Sequence, residues 1–146
     1  MNLLLIPIIW ALDQWTKKKA EKSLNHYDKV YIAKGNASLR LVYNRGAFLG
    51  FLKNQPSYLH LFTLVALGLI VVMGLPYWLS GKDRLTGTGL ALIFAGAMGN
   101  YTDRVFKGYV VDFLAFKPNH KVHFNLADFA IFIGAAMMVI GEFVGN

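Results

Sequence analysis

The sequence predicts an all-α integral membrane protein with four transmembrane helices and a small β-cradle between helices 1 and 2. Of its 146 residues, 55% are hydrophobic and only 16% are charged, a composition typical of a chain whose solvent is lipid. Four apolar segments recur along the chain, and a polar segment of about forty residues with strand-like alternation separates the first two. This length and pattern predict one domain, residues 1–146.

The four predicted helices cover about residues 3–20, 58–79, 85–103 and 124–144. A spanning helix needs about 20 mostly apolar residues. The second and fourth segments reach this length, the third is short, and the first reaches it only with flanking residues. The first segment has no basic stretch before it and no small-residue cleavage site after it, so we expect it to stay attached as a helix. An even number of spans places both ends of the domain on one side of the membrane.

The β-cradle is predicted at about residues 28–54. Within it, KVYIAKGNASLRLVY alternates apolar and polar residues around a Lys-Gly-Asn turn, which predicts a hairpin lying on the membrane surface. Residues 105–123, between helices 3 and 4, contain Gly108 and Pro118. We therefore expect a partly extended interfacial loop there.

Several classes of protein are disfavoured by composition. The chain has no cysteine, which removes disulfides, thiolate metal sites and a cysteine nucleophile. The net charge of +7 comes from basic residues that flank apolar segments, so we expect membrane lipids as partners and no nucleic acid. His120 and His123 have the spacing of metal ligands, but no cysteine or carboxylate pattern accompanies them, and we predict no metal.

Polar residues interrupt the end of the third apolar segment. Asn100, Asp103 and Arg104 are spaced i, i+3 and i+4, which places them on one face of a helix. Charge at membrane depth costs at least a few kcal/mol, so it is kept where it is paired, hydrated or functional. For Asp103 a structural ion pair with Arg104 is as good an explanation as a functional one.

The same Asn-x-x-Asp spacing recurs at Asn125 and Asp128, and Asp112 lies between the two pairs. Asp112 and Asp128 sit among apolar neighbours, in VVDFLAF and NLADFAIF, with no adjacent basic residue. Two carboxylates that meet in a poorly hydrated site share one proton, so one can act as a general base for water and the other as a general acid. If the fold brings the two together, this pattern predicts hydrolysis of a peptide bond near the membrane surface.

Five sequence blocks follow one another along the whole chain: DQWTK from Asp13, NRGAFLGF from Asn44, GAMGNYTDR from Gly96, VVDF from Val110 and FNLAD from Phe124. In this order they are similar to the blocks of the lipoprotein signal peptidases, the bacterial type II signal peptidases (prolipoprotein signal peptidase, peptidase family A8). The resemblance implies a four-helix membrane aspartic endopeptidase. Such an enzyme removes the signal peptide of prolipoproteins by cleaving before a cysteine that carries a diacylglyceryl group.

The resemblance also implies roles for individual residues. The catalytic pair would be Asp112 and Asp128. Substrate binding and orientation of the pair would fall to five residues: Asn44, Gly46, Asn100, Arg104 and Asn125. Structural support would come from three more, with the last bracing Arg104: Asp13, Lys17 and Asp103.

Partners and location follow from the same resemblance. It implies diacylglyceryl-modified prolipoproteins as substrates, globomycin-like inhibitors, membrane lipids around a monomer, and no cofactor. The protein would be a multi-pass protein of the bacterial plasma membrane, with the β-cradle and the site on the extracytoplasmic side and a lateral opening toward lipid. The loops on the same face as the site hold 13 of the 15 Lys and Arg, so a count of basic residues would by itself place the site on the cytoplasmic side. We take the orientation from the family instead.

Two alternatives stay open. A small four-helix proton-coupled membrane transporter could use a membrane carboxylate such as Asp13 to bind cations. A transporter places its key carboxylate near the bilayer midplane, whereas Asp13, Asp112 and Asp128 all fall at helix ends or in a loop on one face, which favours interfacial chemistry. The other alternative is an inactive structural homologue, against which the intact pair of aspartates argues.

Overall fold

The computed structural model describes residues 2–46, 54–81, 83–117 and 121–144. Within these ranges the chain forms four α-helices and a three-stranded antiparallel sheet, which confirms the predicted helices and small sheet. The helices are α1 (Leu5–Ser23), α2 (Pro56–Ser80), α3 (Arg84–Lys107) and α4 (Leu126–Val144). The strands are β1 (Val30–Ile32), β2 (Ala37–Asn44) and β3 (Val110–Phe116).

Local sequence explains where α2 and α3 begin and end. Pro56 opens α2, where its missing N–H costs nothing, and Gly81 ends the helix in the left-handed conformation (φ 66°). The Asp83 side chain accepts a hydrogen bond from the Thr86 N–H and so caps the start of α3. Gly108, again left-handed (φ 76°), ends α3 and turns the chain into β3.

The sheet has the order β1-β2-β3. β1 and β2 form the predicted hairpin, and β2 then pairs with β3, which places Val42 opposite Asp112 and Asn44 opposite Val110. Residues 110–116 were expected to be a partly extended loop, and they are a regular strand instead. The strand was missed because it is buried on both faces near its start, so its apolar run VVDFLAF shows no alternation.

α3 is the central helix. It contacts α1, α2 and α4, and its most extensive packing is against α4. Glycines allow this close approach: a Cβ added to Gly89 would lie 2.6 Å from the Gly134 carbonyl oxygen, and one added to Gly96 would collide with the Ala127 carbonyl oxygen. The face where α3 meets α4 therefore depends on residues without side chains.

The outer surface of the bundle is apolar. α2 and α4 are each long and apolar enough to cross a membrane. Leu61, Phe62, Leu69 and Val72 of α2 each expose more than half of their surface. Such a surface fits lipid rather than water, in keeping with a membrane protein.

Candidate active site

A cavity of about 710 Å³ opens where the sheet meets the ends of α3 and α4. β2 and β3 form its roof, and the end of α3 and the start of α4 form its floor. Asp112 and Asp128, which the sequence predicts to act together, both line it. The predicted binding residues Asn44, Gly46, Asn100 and Arg104 line it as well.

Asp112 projects from β3 and is 4% exposed. One carboxylate oxygen, Oδ1, accepts a hydrogen bond from Asn125 Nδ2 at 2.7 Å, and the other, Oδ2, accepts one from Asn44 Nδ2 at 3.1 Å. Burial, and next the negative charge of Asp128, raise the pKa of Asp112 to about 7, although both amide hydrogen bonds act in the opposite direction. Asp112 is therefore poised to hold or release a proton near neutral pH.

Asp128 lies in the first turn of α4 and caps that helix together with Asn125. Asn125 Oδ1 accepts the Asp128 backbone N–H at 3.0 Å, and Asp128 Oδ2 accepts the Asn125 backbone N–H at 3.0 Å. This reciprocal pair is a capping box with asparagine and aspartate in the two positions. The other oxygen, Oδ1, accepts a hydrogen bond from Asn100 Nδ2 at 2.9 Å. Local helix capping thus aims Asp128 into the cavity.

The orientation of the two asparagine amides follows from neighbours that can only donate. The Asp128 backbone N–H requires an oxygen at Asn125, which turns Asn125 Nδ2 toward Asp112 and toward Asn100 Oδ1, 3.0 Å away. The Lys17 ammonium requires an oxygen at Asn100, which turns Asn100 Nδ2 toward Asp128. Each of the four carboxylate oxygens of the pair therefore receives a hydrogen bond from a protein N–H group.

Behind the aspartates lies a buried ion network. Lys17 is fully buried, 2.7 Å from Asp13 Oδ2 and 3.2 Å from Asp103 Oδ2. Lys107 approaches the other Asp103 oxygen, Oδ1, at 3.2 Å. Asp13 also accepts the Ala127 backbone N–H at 3.0 Å, so the network ties α1 to α3 and to the start of α4.

Asp103 was expected to brace Arg104, and its contacts are different. Its carboxylate meets Lys17 and Lys107 and accepts the backbone N–H of Val111 at 3.1 Å. Neighbours in sequence point in different directions around a helix, whereas residues four apart, such as Asp103 and Lys107, share a face. Asp103 therefore fixes the beginning of β3 and, through it, the strand that carries Asp112.

Arg104 instead reaches the sheet. Its Nη2 donates to the Gly46 carbonyl oxygen at 3.1 Å. Gly46 in turn donates its backbone N–H to Asn44 Oδ1 at 3.0 Å, which turns Asn44 Nδ2 toward Asp112. The cradle residues that follow, 47–53, lie outside the described residues.

The cavity has further lining residues that the sequence did not predict as part of the catalytic or binding site. Lys121 and His123, which precede α4, line it beside the aspartates. Thr63 of α2 with Ile131 and Phe132 of α4 form another part of its wall. These residues carry no recurring spacing, and only the fold brings α2 and α4 to one wall.

No group of three His, Cys, Asp or Glu side chains among the described residues is arranged to hold a metal ion. His123 Nδ1 lies 3.1 Å from the Lys121 carbonyl oxygen. His120, the other of the two histidines with the spacing of metal ligands, lies outside the described residues.

The fold and the cavity define a helical membrane protein with two acidic side chains in a shared pocket at one end of its bundle. The chain belongs to the signal peptidase II family of peptidases, because the family model described as "Signal peptidase (SPase) II" matches residues 5–144. A "Lipoprotein signal peptidase" of Alteromonas mediterranea is 35% identical over 141 residues, 93% of this chain and 76% of the relative. One of Geobacter sulfurreducens is 36% identical over 133 residues, 89% of this chain and 83% of the relative.

Solved structures give the same fold. A bacterial membrane enzyme determined by the in meso method at 1.9 Å resolution superposes with a TM-score of 0.81 at 26% identity, covering 97% of this chain and 91% of the other. A second, determined at 2.3 Å resolution, gives a TM-score of 0.81 at 25% identity, with coverage of 97% and 87%. The predicted family is therefore confirmed, and with it a protease of lipoprotein processing in a bacterial membrane.

Proposed function

We propose that this protein is an aspartic endopeptidase that removes signal peptides from prolipoproteins, cleaving before the diacylglyceryl-modified cysteine. The observation that carries this proposal is the shared site of Asp112 and Asp128: both line one cavity, and both contact Asn125. The names of the relatives support the substrate class.

Asp112 and Asp128 are the proposed catalytic pair. With one proton between them, the ionised carboxylate takes a proton from water as the water attacks the scissile carbonyl carbon. The protonated carboxyl donates a hydrogen bond to the carbonyl oxygen and so stabilises the charge that develops there. The tetrahedral intermediate then collapses, the C–N bond breaks, and the proton passes to the leaving amine of the modified cysteine.

The remaining residues hold this pair and the substrate. Asn44, Asn100 and Asn125 direct N–H groups at the carboxylates without adding charge to an acidic site. Arg104 and Gly46 bind the substrate backbone beside the scissile bond, and Gly46 leaves room for it. Asp13, Lys17 and Asp103 support the site from behind.

Substrate enters from the lipid. Thr63 of α2 with Ile131 and Phe132 of α4 form one wall of the cavity, and both helices are apolar enough to cross a membrane. A signal helix and a diacylglyceryl chain both travel within the bilayer, so the entrance lies between these helices, while β2 and β3 cover the site from water. All four helices span the membrane, and the site faces the extracytoplasmic side. A globomycin-like cyclic peptide would occupy the same groove and compete with the substrate.

The test is cleavage of a diacylglyceryl-modified prolipoprotein by purified protein in detergent. The wild type should cut before the modified cysteine, and Asp112→Asn and Asp128→Asn should be folded and inactive. Asp28→Asn is the matched control, because Asp28 is exposed and its carboxylate accepts a hydrogen bond from Asn25 on the surface before β1. An inactive wild type, or near-normal cleavage by either Asp112→Asn or Asp128→Asn, would contradict the proposal.

A further inference from the structure

Lys17 makes one contact that an ion pair does not require. Its ammonium, fully buried, meets two carboxylates, those of Asp13 and Asp103. Its third contact, at 2.9 Å, is to Asn100 Oδ1. Asn100 in turn donates to Asp128 at 2.9 Å, so a continuous path of two hydrogen bonds joins a buried cation to the carboxylate pair.

The direction of this path depends on the cation together with Asn125, whose Nδ2 also donates to Asn100 Oδ1 at 3.0 Å. An ammonium has three donors and no acceptor, so it selects the Asn100 orientation in which the oxygen faces Lys17. The NH₂ group must then face Asp128 Oδ1. In the opposite orientation the Asn100 amide oxygen would face Asp128 Oδ1. The carboxylate would then lose a hydrogen-bond donor, and the two oxygens would repel each other. The cation also polarises the amide and strengthens the N–H that Asp128 receives.

We propose that Lys17 is a positioning residue for the peptidase reaction: its ammonium fixes the Asn100 amide with the NH₂ group toward Asp128 and so holds the Asp128 carboxylate in its orientation within the cavity. This inference rests on the proposed function. Lys17 touches neither substrate nor reacting atoms, and its effect passes through Asn100. The ordinary role of a buried ion pair is support for the fold, and the positioning role is an addition to it.

Charged groups around this path come from four elements and from the segments after β2 and before α4, which bring Arg45, Lys121 and His123 to the cavity. α1 contributes Asp13; α3 contributes Asp103, Arg104 and Lys107; β3 contributes Asp112; and α4 contributes Asp128. The positive charge of Lys17 lowers the pKa of Asp112, against the larger effects of burial and of Asp128. Without this charge Asp112 binds its proton more tightly, so the limb of the pH profile of cleavage that Asp112 sets moves to higher pH.

The experiment is the pH profile of kcat/KM for the intact protein in detergent, with a diacylglyceryl-modified prolipoprotein as substrate. Lys17→Met should lower kcat about tenfold to a hundredfold, as loss of an outer partner of a reactive group does, and should move the profile up by about one pH unit. Lys17→Arg keeps a cation, so the activity it retains should follow the wild-type profile. Lys107→Met is the matched control, because Lys107 contacts Asp103 from the other side and does not reach Asn100.

Removal of Lys17 alone leaves Asp13 without its buried cation, which threatens folding. The double variant Asp13→Asn/Lys17→Met removes both charges and leaves Asp103 with Lys107 as its partner. The double variant should fold, and its pH profile of kcat/KM should move to higher pH, as in Lys17→Met. Asp13→Asn alone keeps the ammonium and should not move the profile to higher pH.

The outcomes separate this inference from the proposed function. A wild type that does not cleave overturns the proposed function. A cleaving wild type with unmoved profiles in the Lys17 variants, or an equal shift in Lys107→Met, overturns only the positioning role. Loss of folded protein in both the single and the double variant assigns Lys17 to folding alone and also overturns it.

Discussion

Asn125 and Asp128 hold each other through two reciprocal hydrogen bonds of 3.0 Å at the start of α4, and the Asn125 amide simultaneously donates to Asp112 at 2.7 Å. One side chain therefore serves both as the cap of a helix and as the link between the two aspartates. Helix capping, a local property of the sequence, fixes the geometry of a site formed by distant segments.

Asn125→Ala should damage stability and activity together. Loss of the cap should cost about 1 kcal/mol of stability, and loss of the donor to Asp112 should lower cleavage by about a hundredfold or more. Thermal unfolding in detergent and cleavage of a prolipoprotein measure the two effects. Asn25→Ala is the matched control, because Asn25 accepts the Tyr27 and Asp28 N–H groups in a surface turn away from the cavity. Equal losses in the two variants would argue against a special role for Asn125.

The raised pKa of Asp112 has a consequence for stability. A carboxyl whose pKa is about 7 in the folded protein and about 4 in the unfolded chain binds protons more tightly when folded, so stability falls as pH rises through this window. Thermal unfolding of the wild type between pH 5 and pH 8 should show this decline, and Asp112→Asn should show less of it. Asp28→Asn, altered at an exposed carboxylate, should keep the wild-type decline. A wild type whose stability is flat or rises over this range would contradict the raised pKa.

The sequence predicted much of this fold because the relevant signals are local. The apolar lengths of α2 and α4, the hairpin turn before β2 and the recurring Asn-x-x-Asp spacing all lie within short stretches. The family resemblance then joined the two aspartates, which spacing alone left apart. The structure brings Asp112 of β3 and Asp128 of α4 into one cavity, where both contact Asn125.

What could not be predicted depends on packing between elements. β3 is buried on both faces near its start, so its sequence shows no alternation of apolar and polar residues, and it was predicted as a loop. Asp103 stands next to Arg104 in sequence but pairs with Lys17 and Lys107, and the contact with Lys17 exists only because α1 packs against α3. The link from Lys17 to Asn100 spans 83 positions of sequence and has no local signal.

Because α3 and α4 are in close contact, replacing glycine by alanine should lower stability where the two helices touch and not elsewhere. A methyl group at Gly96 would collide with the Ala127 carbonyl oxygen and approach Ile131 Cγ1, just below the start of α4. Gly96→Ala should therefore lower the unfolding temperature and, by displacing α4, reduce cleavage. Gly68→Ala on α2 is the control, because nothing lies within 4 Å of an added Cβ there; it should be neutral or stabilising by about 0.5–1 kcal/mol, the helix preference of alanine over glycine. An undamaged Gly96→Ala would mean that the two helices can separate without affecting the site.

Arg104 joins the end of α3 to the cradle at the Gly46 carbonyl oxygen, 3.1 Å from its Nη2, and its charge interacts with both Asp112 and Asp128. These two contributions can be separated by substitution. Arg104→Lys keeps the charge but loses the planar fork that reaches the cradle, so KM should rise while the pH profile stays close to that of the wild type. Arg104→Gln removes the charge as well, so kcat should also fall and the pH profile should move to higher pH, since Asp112 then loses a positive charge that favours its ionised form. Steady-state kinetics across pH, with folding of each variant checked, measure both effects. Identical kinetics in the two variants would show that the charge of Arg104 does not act on the aspartate pair and that only its contact with the cradle matters.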